Sequence, residues 1–194
     1  IRAILTYSGA NWSDAKVAFQ DWPVLKGSGK FLYGQMPAVE IDGKMYTQTI
    51  ALETLLSRRF NLMGKSDLDE YEILSLLASR EDFSKKLMPL MWPTEEQKAK
   101  MPEIIKNLVD TELPFFLKIW EQKYTELSGK YYLGDNFSLA DIFLATTFEN
   151  MFWKDSNKET YGHLPDQYAP KLSAHLKKVK ETELAGFFSK VFVR

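Results

Sequence analysis

The chain has 194 residues, of which 45% are hydrophobic and 14% aromatic, so it can bury the core of one compact unit or two small ones. Its formal net charge of −1 implies neither nucleic acid nor an anionic membrane as a partner. The absence of cysteine excludes disulfides, thiolate zinc sites and cysteine nucleophiles within these residues. His163 and His175 lie in separate segments without metal-ligand spacing, and no apolar run approaches the roughly 20 residues of a membrane span. We therefore expect no metal site and no membrane span.

The first 30 residues predict a helix, a strand and a loop. Residues 1–8 have the apolar spacing of a short helix, which Gly9 can terminate. Residues 12–19 alternate between two sets of side chains, one of them apolar, which predicts a strand. Residues 21–30 contain proline and glycines and are expected to form a loop.

A hairpin followed by a helix is the most informative pattern of the chain. Strands are predicted at 37–41 and 44–47, joined by a two-residue Asp-Gly turn. A helix with an apolar face follows over 49–60, and Gln48 and Thr49 stand at its start. Their side chains lie beside backbone N–H groups that a helix start leaves free, and this arrangement suits a small carboxylate.

Beyond a polar linker at 61–67 the pattern is helical throughout. Helices are predicted at about 68–92, 102–127, 138–153, 168–181 and 183–190. The sequence thus predicts a mixed α/β domain over residues 1–62 and an all-helical domain over residues 67–194. Within the second domain, Ser138 and Asp141 have the spacing of a capping box, which we assign to helix stability and not to catalysis.

Four segments carry a resemblance to a known family: DWPVLK at 21–26, GQMP at 34–37, QT at 48–49 and ED at 81–82. With the order of the elements, they make the chain similar to the cytosolic glutathione S-transferases, and most of all to the sigma class, which includes the glutathione-dependent prostaglandin D synthases. The resemblance spans nearly the whole chain. It implies an α/β plus all-α fold, with a thioredoxin-like N-terminal domain that lacks its first strand and an all-helical C-terminal domain.

The resemblance also implies roles for the first two segments. Trp22 and Lys26 would hold the glycine carboxylate of glutathione, one as an N–H donor and the other as a cation. Gln35 and Met36 precede Pro37, whose peptide bond is cis in the family, and the Met36 backbone would pair with the cysteinyl part of glutathione. Taken alone, each segment also fits a plainer interpretation: a packed loop tryptophan with a solvated lysine, and an ordinary trans-proline.

The last two segments would bind the other end of glutathione. Gln48 and Thr49 resemble the family's Gln-Ser pair for the γ-glutamyl carboxylate, although Thr49 as a simple helix N-cap is compatible with the same sequence. Asp82 would reach the glutathione ammonium of the partner subunit in a homodimer. The alternative is that Glu81 and Asp82 are solvated helix carboxylates.

Met88 and Trp92 are candidates for an apolar electrophile pocket between the two domains, because methionine and tryptophan suit a soft, adaptable site. Such side chains are more often part of a core. The resemblance implies a catalytic tyrosine at the end of a strand that would precede Ile1, and no tyrosine of this chain, including Tyr7, matches its position.

The function implied by the resemblance is glutathione transfer: binding of glutathione as a co-substrate, without a metal, and attack of its thiolate on an electrophilic or peroxide substrate. A cytoplasmic location and a homodimer are implied in the same way. The alternative is a non-catalytic, transferase-like structural or scaffold subunit of a larger assembly, since a fold does not fix a function.

Overall fold

The computed structural model describes residues 1–190, so the last four residues of the predicted helical domain lie outside the described residues. The architecture is mostly helical, with one small sheet near the N-terminus. The strands are β1 (Ala38–Ile41) and β2 (Lys44–Thr47). The helices are α1 (Arg2–Tyr7), α2 (Trp22–Gly27), α3 (Thr49–Arg59), α4 (Asp67–Met91), α5 (Glu95–Ala99), α6 (Met101–Asn107), α7 (Leu113–Leu127), α8 (Leu139–Phe148), α9 (Asp155–Tyr161), α10 (Leu164–Tyr168), α11 (Pro170–Glu181) and α12 (Ala185–Phe188).

The predicted hairpin is confirmed. Strands β1 and β2 pair antiparallel from Ala38 opposite Thr47 to Ile41 opposite Lys44. Asp42 and Gly43 both have positive φ, 51° and 76°, as a type I′ turn requires. The turn therefore sets the register, and β2 leads directly into α3.

The strand predicted at 12–19 is wrong. Residues 11–18 have no regular secondary structure, and the side chain of Phe19 is 94% exposed. An alternating pattern produces a strand only where a neighbour pairs with it, and the sheet of residues 1–190 consists of β1 and β2 alone. The loop predicted at 21–30 contains the six-residue helix α2, with Pro23 in its first turn.

The helical predictions are confirmed in outline but not in their continuity. The predicted helix at 102–127 consists of α6, a π-helical segment Leu108–Glu112 and α7. Pro114 has no N–H for the usual bond to the carbonyl four residues earlier, and the Leu113 N–H bonds instead to the carbonyl of Leu108, five residues earlier. The sequence pattern does not predict the short helices α5, α9 and α10. The secondary structure changes from mixed to all-helical after residue 62, and the domain bounds themselves remain a prediction.

The core lies mainly within the helical part. Trp120 on α7 is 1% exposed and packs against rings of α4, α7 and α8, among them Phe83, Phe116 and Phe148. Its indole Nε1 donates to the hydroxyl of Ser79 at 3.3 Å, so the only polar atom of the side chain is satisfied.

The capping box at the start of α8 is confirmed, and Asp141 does more than the box requires. Its carboxylate accepts hydrogen bonds from the Ser138 N–H (3.0 Å) and hydroxyl (3.1 Å) and from the Tyr132 N–H (2.9 Å). The Nε2 atom of His175 on α11 lies 2.9 Å from the same carboxylate. Asp141 and Ser138 are both 0% exposed. This Asp141 network joins the loop before α8 to α8 and α11.

Candidate functional site

Helix α2 presents Trp22 and Lys26 one turn apart, hence on the same face. The ring of Trp22 meets the ring of Phe31 edge-on at 5.3 Å, which fixes the start of the helix. The stem of Lys26 lies over Gly34, since a Cβ at residue 34 would be 3.3 Å from the Lys26 Cε. Because Gly34 has no side chain, the stem of Lys26 can lie against the backbone at residue 34.

The backbone between Phe31 and β1 follows an unusual course. Tyr33 and Gly34 both have positive φ, 67° and 57°, and the Gly34 N–H bonds to the Phe31 carbonyl at 2.8 Å. The Met36–Pro37 peptide bond is cis, as predicted. Met36 is 47% exposed, so this segment lies at the surface where an extended peptide can approach it.

Helix α3 begins at this same surface. Gln48 is its N-cap, with φ 74° and ψ 114°, so the alternative of Thr49 as the N-cap is wrong. The first intrahelical bond runs from the Leu52 N–H to the Gln48 carbonyl at 2.9 Å, and no side chain of the described residues caps the helix. The N–H groups of residues 49–51 are thus outside the helical hydrogen bonds, which makes this end suitable for an anion.

Two side-chain hydrogen bonds connect the segment before β1 to the end of β2 and the start of α3. The Gln48 amide Nε2 donates to the Gln35 Oε1 at 3.4 Å, and the Thr47 hydroxyl donates to the Leu32 carbonyl at 3.3 Å. The predicted residues of the first domain therefore converge on one surface, which we call the groove and define by Trp22, Lys26, Gly34, Gln35, Met36, Gln48 and Thr49. The groove offers an ammonium, amide groups, a hydroxyl and free backbone N–H groups, the donors that a ligand with carboxylates needs.

The predicted residues of the helical domain are placed differently. Asp82 is exposed on α4 and accepts a hydrogen bond from the Lys85 ammonium at 3.0 Å. Met88 and Trp92, at the end of α4, are 48% and 67% exposed. Their exposure shows that they are not core residues of the single chain, but their roles toward a ligand remain predictions.

Tyr7 contributes to packing. Its ring lies 4.4 Å from the ring of Phe137, and burial raises the pKa of its phenol above the ordinary value. The phenol of Tyr7 is therefore neutral at physiological pH, and its position at the contact between α1 and the start of α8 fits a structural role.

Sequence reasoning missed the contacts that assemble the groove. Neither α2 nor the hydrogen bond between Gln35 and Gln48 was predicted, and the positive φ of Tyr33 and Gln48 has no sequence signal, since both residues ordinarily avoid that region. The proline at the start of α2 was the one available indication of that helix.

Two other features are absent from residues 1–190. Within residues 1–190, no group of three or more histidine, aspartate or glutamate side chains is arranged to hold a metal ion. No helix in the same part of the chain is long and apolar enough to cross a membrane.

Comparisons with known proteins show which family the chain is similar to. A family model described as glutathione S-transferase, C-terminal domain, matches residues 81–188. Glutathione S-transferase 1 of Ascaris suum is 30% identical over 149 residues, which cover 74% of this chain and 69% of that protein. The solved structure of the Fasciola hepatica sigma class GST is similar at a TM-score of 0.80 and 25% identity, covering 100% of this chain and 90% of that one. The structure of prostaglandin synthase D of Nilaparvata lugens has the same fold, at a TM-score of 0.83 and 22% identity over 100% of this chain and 92% of that one.

Proposed function

The chain belongs to the glutathione S-transferase family, and from this premise we propose that it is an enzyme that binds glutathione in the groove, where the thiolate of glutathione attacks an electrophilic or peroxide substrate. The observation that carries the proposal is the convergence of Lys26, Gln35 and Gln48 beside the free N–H groups of α3. The alternative of a non-catalytic scaffold has no support in the comparisons.

The groove has two ends, and glutathione has a carboxylate at each of its own. At one end Trp22 and Lys26 provide an indole N–H and an ammonium for the glycine carboxylate. At the other end Gln48, Thr49 and the first turn of α3 provide an amide, a hydroxyl and backbone N–H groups for the γ-glutamyl carboxylate. Met36, which is 47% exposed, lies between them along the chain, and its backbone is our candidate for pairing with the cysteinyl peptide.

The chemistry at sulfur is a nucleophilic substitution or a peroxide opening. The thiol first gives its proton to water. In the substitution, the thiolate forms a carbon–sulfur bond and the leaving group departs with the electron pair of its own broken bond. In the peroxide opening, the thiolate forms a sulfur–oxygen bond as the O–O bond breaks, which oxidises the sulfur to a sulfenate and reduces the other oxygen to an alcohol. Met88 and Trp92 are our candidates for the apolar surface that holds the electrophile. We assign none of the described residues to activation of the sulfur.

A homodimer follows from the same proposal. Along α4, residues 67, 70, 71, 74, 75 and 78 line one shallow depression, and Asp82 continues the same face by one more turn. Tyr71 is 61% exposed on this face. We propose that this face meets a second copy, which would bring each Asp82 to the partner's glutathione ammonium, and that the enzyme is cytoplasmic.

Titration calorimetry with reduced glutathione tests the binding proposal, and conjugation to a chlorodinitrobenzene tests the transfer. We expect binding that is competed by S-alkylated glutathione, because the groove holds the peptide and leaves the sulfur free. The absence of binding by the full chain would reject the proposed function.

Sedimentation tests the dimer. We expect a stable dimer at micromolar concentration, and an Asp82→Ala variant that remains dimeric but binds glutathione more weakly. The matched control is Glu95→Ala of α5, an exposed carboxylate that, like Asp82, pairs with a lysine three residues later. A monomeric chain, or equal effects of the two changes, would exclude the role of Asp82.

A further inference from the structure

A nearly buried ion pair joins the helix of the groove to α4. Glu53 lies four residues after Thr49, hence one turn further along the same face of α3. The Arg80 Nη1 of α4 donates to both carboxylate oxygens of Glu53, at 3.0 and 2.8 Å. The side chains of Glu53 and Arg80 are only 11% and 15% exposed.

The guanidinium of Arg80 is fixed by a third element. Its Cζ lies 5.3 Å from the centre of the Phe143 ring of α8, close enough for a cation–π contact. A planar guanidinium held by a carboxylate and by a ring has little freedom to rotate. The orientation of Glu53, and with it that of the first turns of α3, is therefore tied to two helices of the helical domain.

The pair is poorly suited to stability alone. The Nη2 atom of Arg80 is buried without a hydrogen-bond partner among the described residues, and an unsatisfied buried donor costs free energy. Two apolar side chains in the same place would often stabilise a fold equally well or better. Apolar side chains would not fix the orientation of α3 relative to α4, because apolar contacts are not directional.

A second ion pair between α3 and α4 is more exposed than the pair of Glu53 and Arg80. Arg58, near the end of α3, also pairs with α4 through Glu70, but the Arg58 side chain is 62% exposed. Exposed pairs contribute little because water and salt screen them. The Glu53–Arg80 pair is thus the stronger constraint on α3, and it acts at the end of the helix that forms the groove.

We propose that Glu53 and Arg80 are positioning residues for glutathione. The pair holds the first turn of α3 in the position from which Gln48 and Thr49 contact the γ-glutamyl carboxylate. The inference rests on the proposed function and extends it to two residues that do not touch the ligand.

The test replaces both charges, so that no unpaired buried charge remains. In the double variant Glu53→Ala with Arg80→Leu, we expect an unfolding midpoint close to that of the wild type and a glutathione Kd raised about two- to thirtyfold, the range found when coupling residues outside a site are changed. The effect of Gln48→Ala on Kd should also become smaller in the double variant, because a displaced α3 no longer presents Gln48 to the ligand. A structural role alone would not change this second quantity.

A matched control is available on the same helix. Glu72 of α4 pairs with Lys123 of α7, whose Nζ lies 3.2 Å from both carboxylate oxygens, and neither residue belongs to α3 or to the groove. The double variant Glu72→Gln with Lys123→Met is expected to leave the glutathione Kd unchanged.

The outcomes separate the two proposals. A wild-type chain that does not bind glutathione overturns the proposed function and this inference with it. Wild-type binding with an unchanged Kd in the Glu53 and Arg80 variant overturns the inference alone, and so do equal changes of Kd in this variant and in the control.

Discussion

The groove and the Asp141 network are both built from polar side chains, but they differ in how many of their hydrogen bonds the protein itself makes. Asp141 is fully buried and meets four groups of the fold within 3.1 Å. In the groove, Lys26 and Gln48 are exposed, and the contact between Gln48 and Gln35 is a long 3.4 Å.

The difference indicates what each set of polar groups is for. A buried polar group has to find its partners within the protein, so a complete set of partners serves folding. An exposed group with spare donors can exchange water for a ligand at little cost to the fold. We therefore expect changes in the Asp141 network to lower stability, and changes in the groove to lower affinity for glutathione.

The largest effect is expected for Asp141→Ala. The change leaves the N–H groups of Tyr132 and Ser138 buried without an acceptor, and it removes the partner of His175. The free energy of unfolding should fall by about 3–5 kcal/mol, as for other disrupted buried networks. Urea unfolding measures it, with the exposed Asp135→Ala as the control.

Asp141→Ala also tests whether the Asp141 network serves stability without affecting glutathione binding. At a temperature where the variant is still folded, its glutathione Kd should equal that of the wild type, since the bonds of Asp141 do not involve Phe143, the residue of α8 that contacts Arg80. A weaker Kd with intact folding would show that the two regions are not independent.

The second-largest loss of stability is expected for a change at Gly64, in the linker before α4. Gly64 has φ +79°, and a Cβ there would lie 2.2 Å from the Cβ of Asp69, whose carboxylate accepts from the Lys65 N–H at 2.7 Å. Gly64→Ala should therefore lower the free energy of unfolding by about 2–4 kcal/mol, through backbone strain and overlap together.

Gly43→Ala is the control that separates the two causes. Gly43 has nearly the same φ, +76°, but nothing lies within 4 Å of its Cβ position. It should lose only the strain part, about 1–2 kcal/mol. An equal decrease in the free energy of unfolding for Gly64→Ala and Gly43→Ala would mean that Asp69 moves away from the new Cβ without destabilising the fold.

The third effect lies in the groove. Lys26→Ala and Gln48→Ala should each weaken glutathione binding by about 1–3 kcal/mol, because each leaves a ligand carboxylate without one of its partners. The free energy of unfolding of each variant, measured by thermal unfolding without ligand, should stay within about 0.5 kcal/mol of the wild-type value, as for other exposed side chains.

An altered ligand assigns each side chain to one end of glutathione. Glutathione with an amidated glycine has lost the carboxylate proposed for Lys26, so Lys26→Ala should hardly affect its binding, whereas Gln48→Ala should weaken it as before. If both variants weaken the amidated ligand equally, the proposed orientation is wrong.

Local signals account for what could be predicted. The Asp-Gly turn and the box of Ser138 and Asp141 each depend on a few adjacent residues, and both are present as predicted. The cis bond before Pro37, which the resemblance implied, is present as well. Helix positions were largely right for the same reason, because an apolar periodicity of long helices is a local pattern.

The remaining features depend on contacts between distant parts of the chain. Residues 12–19 alternate like a strand, but no neighbouring strand pairs with them among the described residues. His175 is 34 residues from its partner Asp141, and Arg80 is 27 residues from Glu53, so neither pair has a sequence signal. The groove shows both cases: its residue types were predicted from the resemblance, and the contacts that bring its loops together were not.

The smallest effect is a pH dependence in the helical domain, at a site as exposed as the groove. Asp166 on α10 accepts hydrogen bonds from the Lys177 ammonium at 2.7 and 2.9 Å and from the Ser173 hydroxyl at 2.6 Å. These bonds, that of Lys177 first, lower the pKa of Asp166 from its ordinary value of 3.8. A carboxyl whose pKa is lower in the folded state stabilises the fold above the unfolded-state pKa, and that contribution is lost as the pH falls through the folded-state value.

The wild type should therefore exceed Asp166→Asn in free energy of unfolding at pH 7, and the difference should disappear as the pH falls below about 4. We expect less than about 1 kcal/mol, because the Asp166 side chain is 60% exposed and water screens the pair. Urea unfolding from pH 2 to 7 measures the difference, and added salt should reduce it at pH 7. No difference between the two at pH 7 would mean that Asp166 acts through its bond to the neutral Ser173, which the amide of asparagine can also accept. Exposed polar groups of the helical domain would then resemble those of the groove, in that their charge contributes nothing measurable to the stability of the fold.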